Sequence, residues 1–446
     1  MIRKMVIGCR SIVLFCTFLV VFTVVAGESY FISKADEMKK NIVDKSTENK
    51  DAEHKYMNRS DIERTVENKV KAVMAEINDR SKEKTLENIM DIQSKSAILM
   101  EGNSGNIVFK KNPHKKVNPA SITKIMTLLL IYEHIDNGKI KGSDIVTVSE
   151  HAASMGGSQV FLEPGETQTV DIMIKCISIA SANDAAVAMA EHIAGSEEAF
   201  VAKMNIRAKE LGMKNTHFVN CCGLDVEGHM SSAYDVAIMS KELMTKFAEI
   251  VKYTTTWMDT ITHKTRKGES EFGLTNTNKL VRTYKGITGL KTGSTAKAKY
   301  CLSATANRDG IDMIAVVMSA PDHKLRFLEA AKLLDYGFSK CNKYEHKFHN
   351  NKLKNIKVNK GVCNSVDGMV KEPFRYVYID DSSSISFKKV INHVEAPIKK
   401  GDKIGVVEYF KGREKIGESY IVAKNGVKRA DFISFVSKLC ERMRFN

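Results

Sequence analysis

The sequence predicts an α+β protein, in which a mainly antiparallel sheet with helices is followed by a small all-β domain. The strand pattern carries this prediction. Ser96–Met100 and Ile107–Lys110 read as a strand pair, and three more strands are expected at 287–292, 298–306 and 311–319. A strand pair, then several helices, then three strands and a closing helix is the layout of an α+β domain.

The helices are expected between and after these strands. The run from Ser121 to Ile135 is apolar almost all round, which predicts a helix buried in the domain core. Residues 170–195 predict a helix, a break and a second helix. Residues 323–339 predict the closing helix.

The last quarter of the chain differs from the rest in both structure and charge. Short strands beyond Asn342, such as Ile404–Phe410 and Glu418–Ala423, predict the small all-β domain. The 446 residues carry a net charge of +15, and residues 343–446 account for +10 of it, with 22 basic against 12 acidic side chains. Residues 91–342 carry only +3, so no nucleic-acid groove is expected there. The basic end fits an anionic surface better.

The N-terminus reads as a secretory signal peptide over residues 1–27. Arg3, Lys4 and Arg10 precede an uncharged apolar run over 11–26 that ends in small residues. That run of about 16 residues is shorter than the roughly 20 that a spanning helix needs. An uncleaved anchor is the alternative.

Two further segments flank the domains. Residues 28–90 are dense in charges of both signs with one narrow apolar stripe, which predicts a partly helical spacer or a pairing helix. The tail from Phe432 to Phe445 predicts an amphipathic helix, which lies either in a membrane interface or against its own β domain. The basic residues in and before it favour an anionic lipid surface. The expected order is signal 1–27, spacer 28–90, α+β domain 91–342, β-rich domain 343–428 and amphipathic helix 429–446.

Neither a metal nor any other cofactor is expected. Seven cysteines remain once Cys9 and Cys16 leave with the signal, and they are irregularly spaced, without a CxxC pair. The sequence contains no HExxH, Walker or Rossmann fingerprint. We interpret the adjacent Cys221 and Cys222 as free, partly buried thiols.

Ser121 and Lys124 are the first candidate catalytic pair. Three residues apart on a helix, they share one face. A serine needs a base to become a nucleophile, and a lysine desolvated in a core helix has a pKa low enough to serve. The Ser-x-x-Lys pattern also occurs at residues 81–84 and 386–389, but no buried helix is expected there.

Two later motifs strengthen this hypothesis. Ser181 and Asn183 lie at the break between two predicted helices, where side chains can face a cleft; the alternative is an ordinary N-cap. Lys291, Thr292 and Gly293 are expected at the end of an apolar strand, where a strand edge can pair with an extended peptide. The alternative for Lys291 is a solvated lysine. Together, the three motifs in this order form a strong joint signal.

With these motifs the chain resembles the serine penicillin-recognising enzymes. It is most similar to the D-alanyl-D-alanine carboxypeptidases among the low-molecular-mass penicillin-binding proteins, serine peptidases of the S11 type. The resemblance covers about 91–342 and, less specifically, 343–428. The stretches that carry it are 95–101, 118–127, 181–186, 215–229 and 289–293. Cys221-Cys222 is a departure from the family.

The resemblance implies a β-lactamase/transpeptidase-like catalytic domain and a mechanism. Ser121 would attack the D-Ala-D-Ala peptide bond of a peptidoglycan pentapeptide stem, with Lys124 as the base and Ser181 as the proton relay. Asn183 would hold the acyl side chain, and the backbone of Ser121 and Ser294 the oxyanion. The terminal carboxylate would bind at Lys291 and Thr292 beside Gly293.

The resemblance also implies a biological setting. The enzyme would act in cell-wall biogenesis and cell shape, and β-lactam antibiotics would inhibit it by acylating Ser121. It would be exported to the outer face of the bacterial cytoplasmic membrane or to the cell wall, with peripheral membrane contact through its C-terminal helix. The alternatives are a DD-endopeptidase, a β-lactamase or a catalytically vestigial wall-binding scaffold. For a class A β-lactamase, the expected Glu-x-x-Leu-Asn stretch is absent from the sequence.

Overall fold

The computed structural model describes residues 89–265, 268–349, 353–379 and 384–432, together with Arg64, Asn68 and Val436. The chain divides into two compact units between residues 79 and 80, and the named elements all belong to the second unit. The signal peptide, most of the spacer and most of the C-terminal helix expected from the sequence lie outside the described residues.

The strands of the central sheet and the helices around them follow the order that the sequence predicts, whereas the strands at 145–147, 167–169, 258–265 and 268–275 were not expected. In chain order the strands are β1 Ser96–Glu101, β2 Ile107–Lys111, β3 Ile145–Thr147, β4 Thr167–Thr169, β5 Met258–Thr265, β6 Gly268–Thr275, β7 Ile287–Thr295, β8 Lys299–Arg308, β9 Ile311–Ala320, β10 Cys341–His346, β11 Ile356–Lys357, β12 Ser365–Val366, β13 Gly368–Val370, β14 Phe374–Ile379, β15 Ile385–Ile391, β16 Lys403–Lys411 and β17 Glu414–Ala423. The helices are α1 Lys124–Asp136, α2 Glu150–Ala153, α3 Val170–Ile179, α4 Asn183–Ala194, α5 Glu197–Glu210, α6 Ala233–Lys246, α7 Val251–Thr254, α8 Leu280–Thr283 and α9 Leu325–Lys340, with 3-10 turns at Ala120–Thr123 and Ala248–Ile250.

The central sheet has five antiparallel strands in the order β2-β1-β9-β8-β7, which confirms the α+β prediction. Both of its faces are covered. Along β1, Ala97 and Leu99 pack with Leu333 of the closing helix α9, whereas Ile98 and Met100 belong to the larger core formed with the other helices. Because successive side chains of a strand point to opposite faces of the sheet, β1 contributes residues to both cores.

The helix α1 is the centre of the larger core. Its residues from Lys124 to Tyr132 are all buried, as the apolar pattern predicts. The regular helix begins later than expected, because Ala120–Thr123 forms a 3-10 turn that places Ser121 just ahead of α1. The buried stretch from Lys124 to Tyr132 holds the first turn of α1 rigidly against its neighbours.

The C-terminal part is a separate all-β region, as predicted. Its main sheet has four antiparallel strands in the order β13-β17-β16-β15. Two shorter ladders, β10 with β14 and β11 with β12, complete it. It has its own core, which includes Leu353, Val407, Tyr409 and Ile421.

Within the described residues, the structure contains no helix that is both long and apolar enough to cross a membrane.

Candidate active site

Ser121 and Lys124 meet where the 3-10 turn becomes α1. The Lys124 ammonium donates a hydrogen bond of 3.1 Å to Ser121 Oγ, so the predicted pair is in contact. Lys124 is fully buried, whereas Ser121 is only partly buried. The hydroxyl therefore faces the accessible side while the amine stays in the core.

The second motif reaches the same amine. Lys124 Nζ donates to Asn183 Oδ1 over 2.5 Å and to the Cys222 carbonyl over 2.8 Å. With Ser121, these partners account for all three positions of the amine: in its neutral form Lys124 can donate to the two carbonyl oxygens and accept from the Ser121 hydroxyl. The structure thus brings Ser121, Lys124 and Asn183 together, although 59 residues separate the last two in sequence.

Ser181 and Asn183 lie at the predicted break between α3 and α4. Ser181 has a φ of +63°, which turns the chain between the two helices. The N-cap alternative is wrong for this site, because the capping position of α4 is Ala182 and no side chain caps the helix there. Asn183 binds the loop opposite: its Nδ2 donates to the Gly156 carbonyl over 2.6 Å, and its backbone N–H to the Ser158 carbonyl over 2.7 Å.

The third motif lies inside β7 and not, as the sequence suggested, at the end of a strand. The strand continues through the motif to Thr295 because Lys291, Thr292 and Gly293 all pair with β8. β7 is nevertheless an edge strand of the sheet, as the peptide-pairing hypothesis requires. Gly293 faces the catalytic turn: a Cβ there would lie 2.9 Å from the Ser121 nitrogen.

Lys291 is not a solvated lysine, because it is only 1% exposed. Its Nζ donates to the Thr292 carbonyl over 3.1 Å. The Thr292 hydroxyl donates to Thr277 Oγ1 over 2.6 Å, which ties the motif to the segment after β6. Ser294, the next residue, is exposed.

Arg326 is a cation at this site that the sequence motifs did not reveal. From α9, its Nη1 donates to the Gly293 carbonyl over 3.1 Å and to the Cys301 carbonyl over 3.4 Å. Its Nε is buried and has no hydrogen-bond partner among the described residues. No local pattern marks this arginine, because it lies 33 residues after Gly293 and reaches the motif only through the tertiary fold.

Burial shifts the pKa values of both lysines in the same direction. It lowers the pKa of Lys124, against the opposing influence of Cys222, Cys221 and Asp184. It also lowers the pKa of Lys291 well below its usual value, and the nearby positive charges of Lys124 and Arg326 add to this effect. A neutral amine beside a serine hydroxyl can accept its proton.

The loop over residues 215–230 is hydrogen-bonded to the start of α1, the helix that carries Lys124. Both cysteine carbonyls accept hydrogen bonds from the catalytic segment: Cys222 from Lys124 Nζ, and Cys221 from Thr127 Oγ1 over 2.6 Å. The two thiols are fully buried and not merely partly buried, and they form no disulfide. The sequence singled out this pair as a departure, but it gave no sign that the backbone was the functional part.

His229 fixes the same loop from the other side. Its Nδ1 accepts the Val219 N–H over 3.0 Å, so the ring is oriented with Nε2 2.8 Å from Thr123 Oγ1. Burial lowers the pKa of His229 to about 4, which keeps the ring neutral at ordinary pH. Asp225 links the loop to the end of β7, two residues after the third motif, by accepting the Thr295 hydroxyl over 2.7 Å.

Among the described residues, no group of three or more histidine, cysteine or acidic side chains could hold a metal ion. The site instead combines a serine hydroxyl, a buried amine, an asparagine amide and a cationic strand edge. A nucleophile beside a base, with a separate cationic group at a strand edge, is suited to acyl transfer from a peptide that carries an anion. The fold and this geometry thus define the class as a serine acyl-transfer enzyme that uses lysine beside its serine.

Comparison with known proteins identifies the family. The model for D-alanyl-D-alanine carboxypeptidase, peptidase S11, matches residues 81–322, and the model for the penicillin-binding protein 5 C-terminal domain matches residues 343–429. The chain belongs to the peptidase S11 family of D-alanyl-D-alanine carboxypeptidases.

Individual relatives agree with this assignment. The D-alanyl-D-alanine carboxypeptidase DacF of Bacillus subtilis is 47% identical over 349 residues, covering 78% of this chain and 89% of that protein. DacC of Escherichia coli is 37% identical and covers 55% of this chain and 62% of its own length. Among solved structures, PBP3 of Streptococcus pneumoniae has a TM-score of 0.63 at 27% identity, over 76% of this chain and all of that chain. Penicillin-binding protein 5 of Haemophilus influenzae has a TM-score of 0.58 at 30% identity, over 76% and 98%.

Proposed function

We propose that this serine D-Ala-D-Ala carboxypeptidase removes the terminal D-alanine from peptidoglycan stem peptides through an acyl-enzyme on Ser121. The observation that carries the proposal is the hydrogen bond from buried Lys124 to Ser121 Oγ, with Asn183 on one side and the edge strand β7 on the other. Hydroxyl, base and strand edge are thus grouped for attack on an extended peptide.

Acylation begins with proton transfer. Neutral Lys124 takes the Ser121 hydroxyl proton as Oγ attacks the carbonyl carbon of the penultimate D-alanine. The resulting oxyanion is held by the backbone N–H groups of Ser121 and Ser294, and Gly293 permits this close approach because it has no side chain. As the C–N bond breaks, Ser181 passes a proton to the leaving D-alanine nitrogen.

The cationic group in the edge strand β7 binds the C-terminal carboxylate of the substrate. The Lys291 ammonium makes one hydrogen bond to the protein among the described residues, so two of its N–H donors are available to a carboxylate. Thr292 and Arg326 complete this subsite, and the buried Arg326 Nε is a further donor. This subsite explains a preference for peptides with a free C-terminus.

Deacylation completes the cycle. Water attacks the ester on Ser121, with Lys124 again accepting and returning the proton, and the shortened peptide leaves. A β-lactam follows the same first step, but its acyl group remains on Ser121 because the ring-opened product keeps its leaving group attached.

The remaining features of the organisation belong to the same proposal. We place the catalytic domain at 91–342, the β-rich domain at 343–428, a signal at 1–27 and a spacer at 28–90. Export to the bacterial cell envelope follows from the apolar N-terminal run and from a substrate that lies in the wall. Peripheral membrane contact through the tail is tested by deleting 430–446 and measuring membrane association of the mature protein, which should fall.

D-alanine release from a pentapeptide analogue tests the reaction, with nitrocefin turnover measured beside it. The wild-type protein should release D-alanine, turn over nitrocefin only slowly and carry one covalent penicillin. Ser121→Ala should do none of these. Rapid nitrocefin turnover would favour a β-lactamase, cleavage of cross-linked dimers an endopeptidase, and no reaction at all a wall-binding scaffold.

A further inference from the structure

Phe161, in the loop that faces Asn183, has an exposed side chain and an unusual backbone conformation. Its side chain is 61% exposed, and its backbone has a φ of +62°. A single exposed apolar residue is ordinary. A left-handed conformation at a bulky residue is not ordinary, and such outliers cluster at functional sites.

The fold holds Phe161 in this conformation from both sides. The neighbouring residues Val160 and Leu162 are buried, and their backbone N–H groups donate to the Asp184 carboxylate over 3.0 and 3.1 Å. Asp184 is itself fully buried and directly follows Asn183. The geometry therefore directs one aromatic ring outward, while the backbone of its two neighbours is bonded to the residue that follows the second motif.

A second aromatic ring, on strand β6, extends this surface. Phe161 packs edge-on against Phe272 of β6, with ring centroids 5.8 Å apart. After β6, Thr277 accepts the hydroxyl hydrogen bond of Thr292 and donates its own N–H to the Ile179 carbonyl, just before the second motif. The aromatic contact thus joins two segments. One is the loop that carries Phe161, which is bonded next to the second motif, and the other is β6, which is followed by the residue that bonds to the third motif.

We propose that Phe161, packed on Phe272, is a specificity-determining residue that binds a long alkyl side chain on the residue preceding D-Ala-D-Ala. This inference rests on the proposed function. With the substrate carboxylate at Lys291 and its acyl part at Asn183, the preceding residue is brought toward the loop that Asn183 binds through Gly156 and Ser158. An exposed aromatic face there removes methylene groups from water, which favours an alkyl chain over a methyl group.

The test compares two peptides on the full-length enzyme. One is diacetyl-L-lysyl-D-alanyl-D-alanine, which carries the alkyl chain, and the other is acetyl-L-alanyl-D-alanyl-D-alanine, which lacks it. Phe161→Ala should lower kcat/KM about tenfold for the first peptide and less than about twofold for the second, the size expected for lost methylene contacts.

Two further variants separate the ring from the loop. Phe161→Gly also lacks the ring but adopts a positive φ freely, so it should lose selectivity as fully as Phe161→Ala. Phe272→Ala should lose part of it, and Phe387→Ala, at an exposed phenylalanine of the β-rich domain, should lose none. Recovery of selectivity in Phe161→Gly, or an equal loss for both peptides in Phe161→Ala, would overturn the inference.

Failure of the proposed function looks different. In that case the wild-type enzyme would release D-alanine from neither peptide, and the inference would fall with it. Release from both peptides with equal kcat/KM would leave the carboxypeptidase intact and overturn the specificity role alone.

Discussion

Lys124 and Lys291 are both buried, yet the protein surrounds their ammonium groups differently. Lys124 Nζ has three hydrogen-bond partners, Ser121 Oγ, Asn183 Oδ1 and the Cys222 carbonyl, so its amine has no position left for an outside ligand. Lys291 donates to one acceptor among the described residues, the Thr292 carbonyl. The first lysine is held for proton transfer within the protein, and the second keeps donors for an anion from outside.

Their positions in the fold explain this difference. Lys124 begins a helix whose first nine residues are all buried, and a loop and the start of α4 supply its partners. Lys291 lies in β7, an edge strand, where one side of the backbone has no partner strand in the described sheet. Burial lowers the pKa of both lysines, but a bound carboxylate would restore the charge of Lys291 and not that of Lys124.

Removing the base should have the largest effect. Lys124→Ala leaves Ser121 without a proton acceptor, so acylation by benzylpenicillin should slow by about 10²–10⁴-fold. Stopped-flow acylation kinetics measure this directly. Lys297→Ala removes an exposed lysine after β7 and is the matched control, which should react at the wild-type rate. A loss below tenfold in Lys124→Ala would assign the base to another group.

Neutralising the second lysine should have a smaller and more selective effect. Lys291→Gln keeps a hydrogen-bond donor but loses its charge, so kcat/KM for D-alanine release should fall about 10- to 150-fold, as for one lost charged hydrogen bond. The same variant should barely change kcat/KM for a peptide that ends in an amide. Equal losses for the acid and the amide would show that Lys291 acts on the chemistry and not on the carboxylate.

Gly293 tests how closely β7 must pack against the turn that carries Ser121. A Cβ at this position would lie 2.9 Å from the Ser121 nitrogen and 3.0 Å from the Ile122 nitrogen, so β7 must move away from the catalytic turn. Gly293→Ala should therefore slow acylation about tenfold through misplacement of the reacting groups. Gly273→Ala, in an open position of β6, is the control and should have no effect. Normal acylation in Gly293→Ala would contradict the close packing.

His229 should have the smallest effect on the chemistry and a distinct effect on stability. Its pKa is lowered to about 4, so between that value and about 6.5 the unfolded chain binds a proton that the folded chain does not. Stability should therefore decrease as the pH falls through this window, by up to about 3 kcal/mol.

Urea unfolding of the wild type and of His229→Gln, followed from pH 7.5 to pH 4, measures this linkage. The glutamine cannot titrate, so the difference between the two proteins should shrink or reverse toward acid. A difference that stays constant with pH would show that His229 does not titrate on unfolding.

The comparison of the two lysines also shows which parts of the fold and of the site could be predicted from the sequence. The helix bearing Lys124 follows from its apolar pattern, and the order of the three motifs indicates the residues that meet. The extent of β7 did not follow, because the polar residues Lys291 and Thr292 look like a strand end until the pairing with β8 buries them. Arg326, His229 and the carbonyls of the cysteine pair depend on contacts between distant segments, which single-sequence patterns do not record.

Acylation rates with benzylpenicillin and with its methyl ester test most directly the claim that Lys124 moves the proton while Lys291 binds the carboxylate. The rates are measured for the wild type, Lys124→Ala and Lys291→Gln. Lys124→Ala should slow both reactions by the same factor, whereas Lys291→Gln should slow only the free acid. If Lys291→Gln slowed the ester as much as the acid, the division of labour between the two lysines would be wrong.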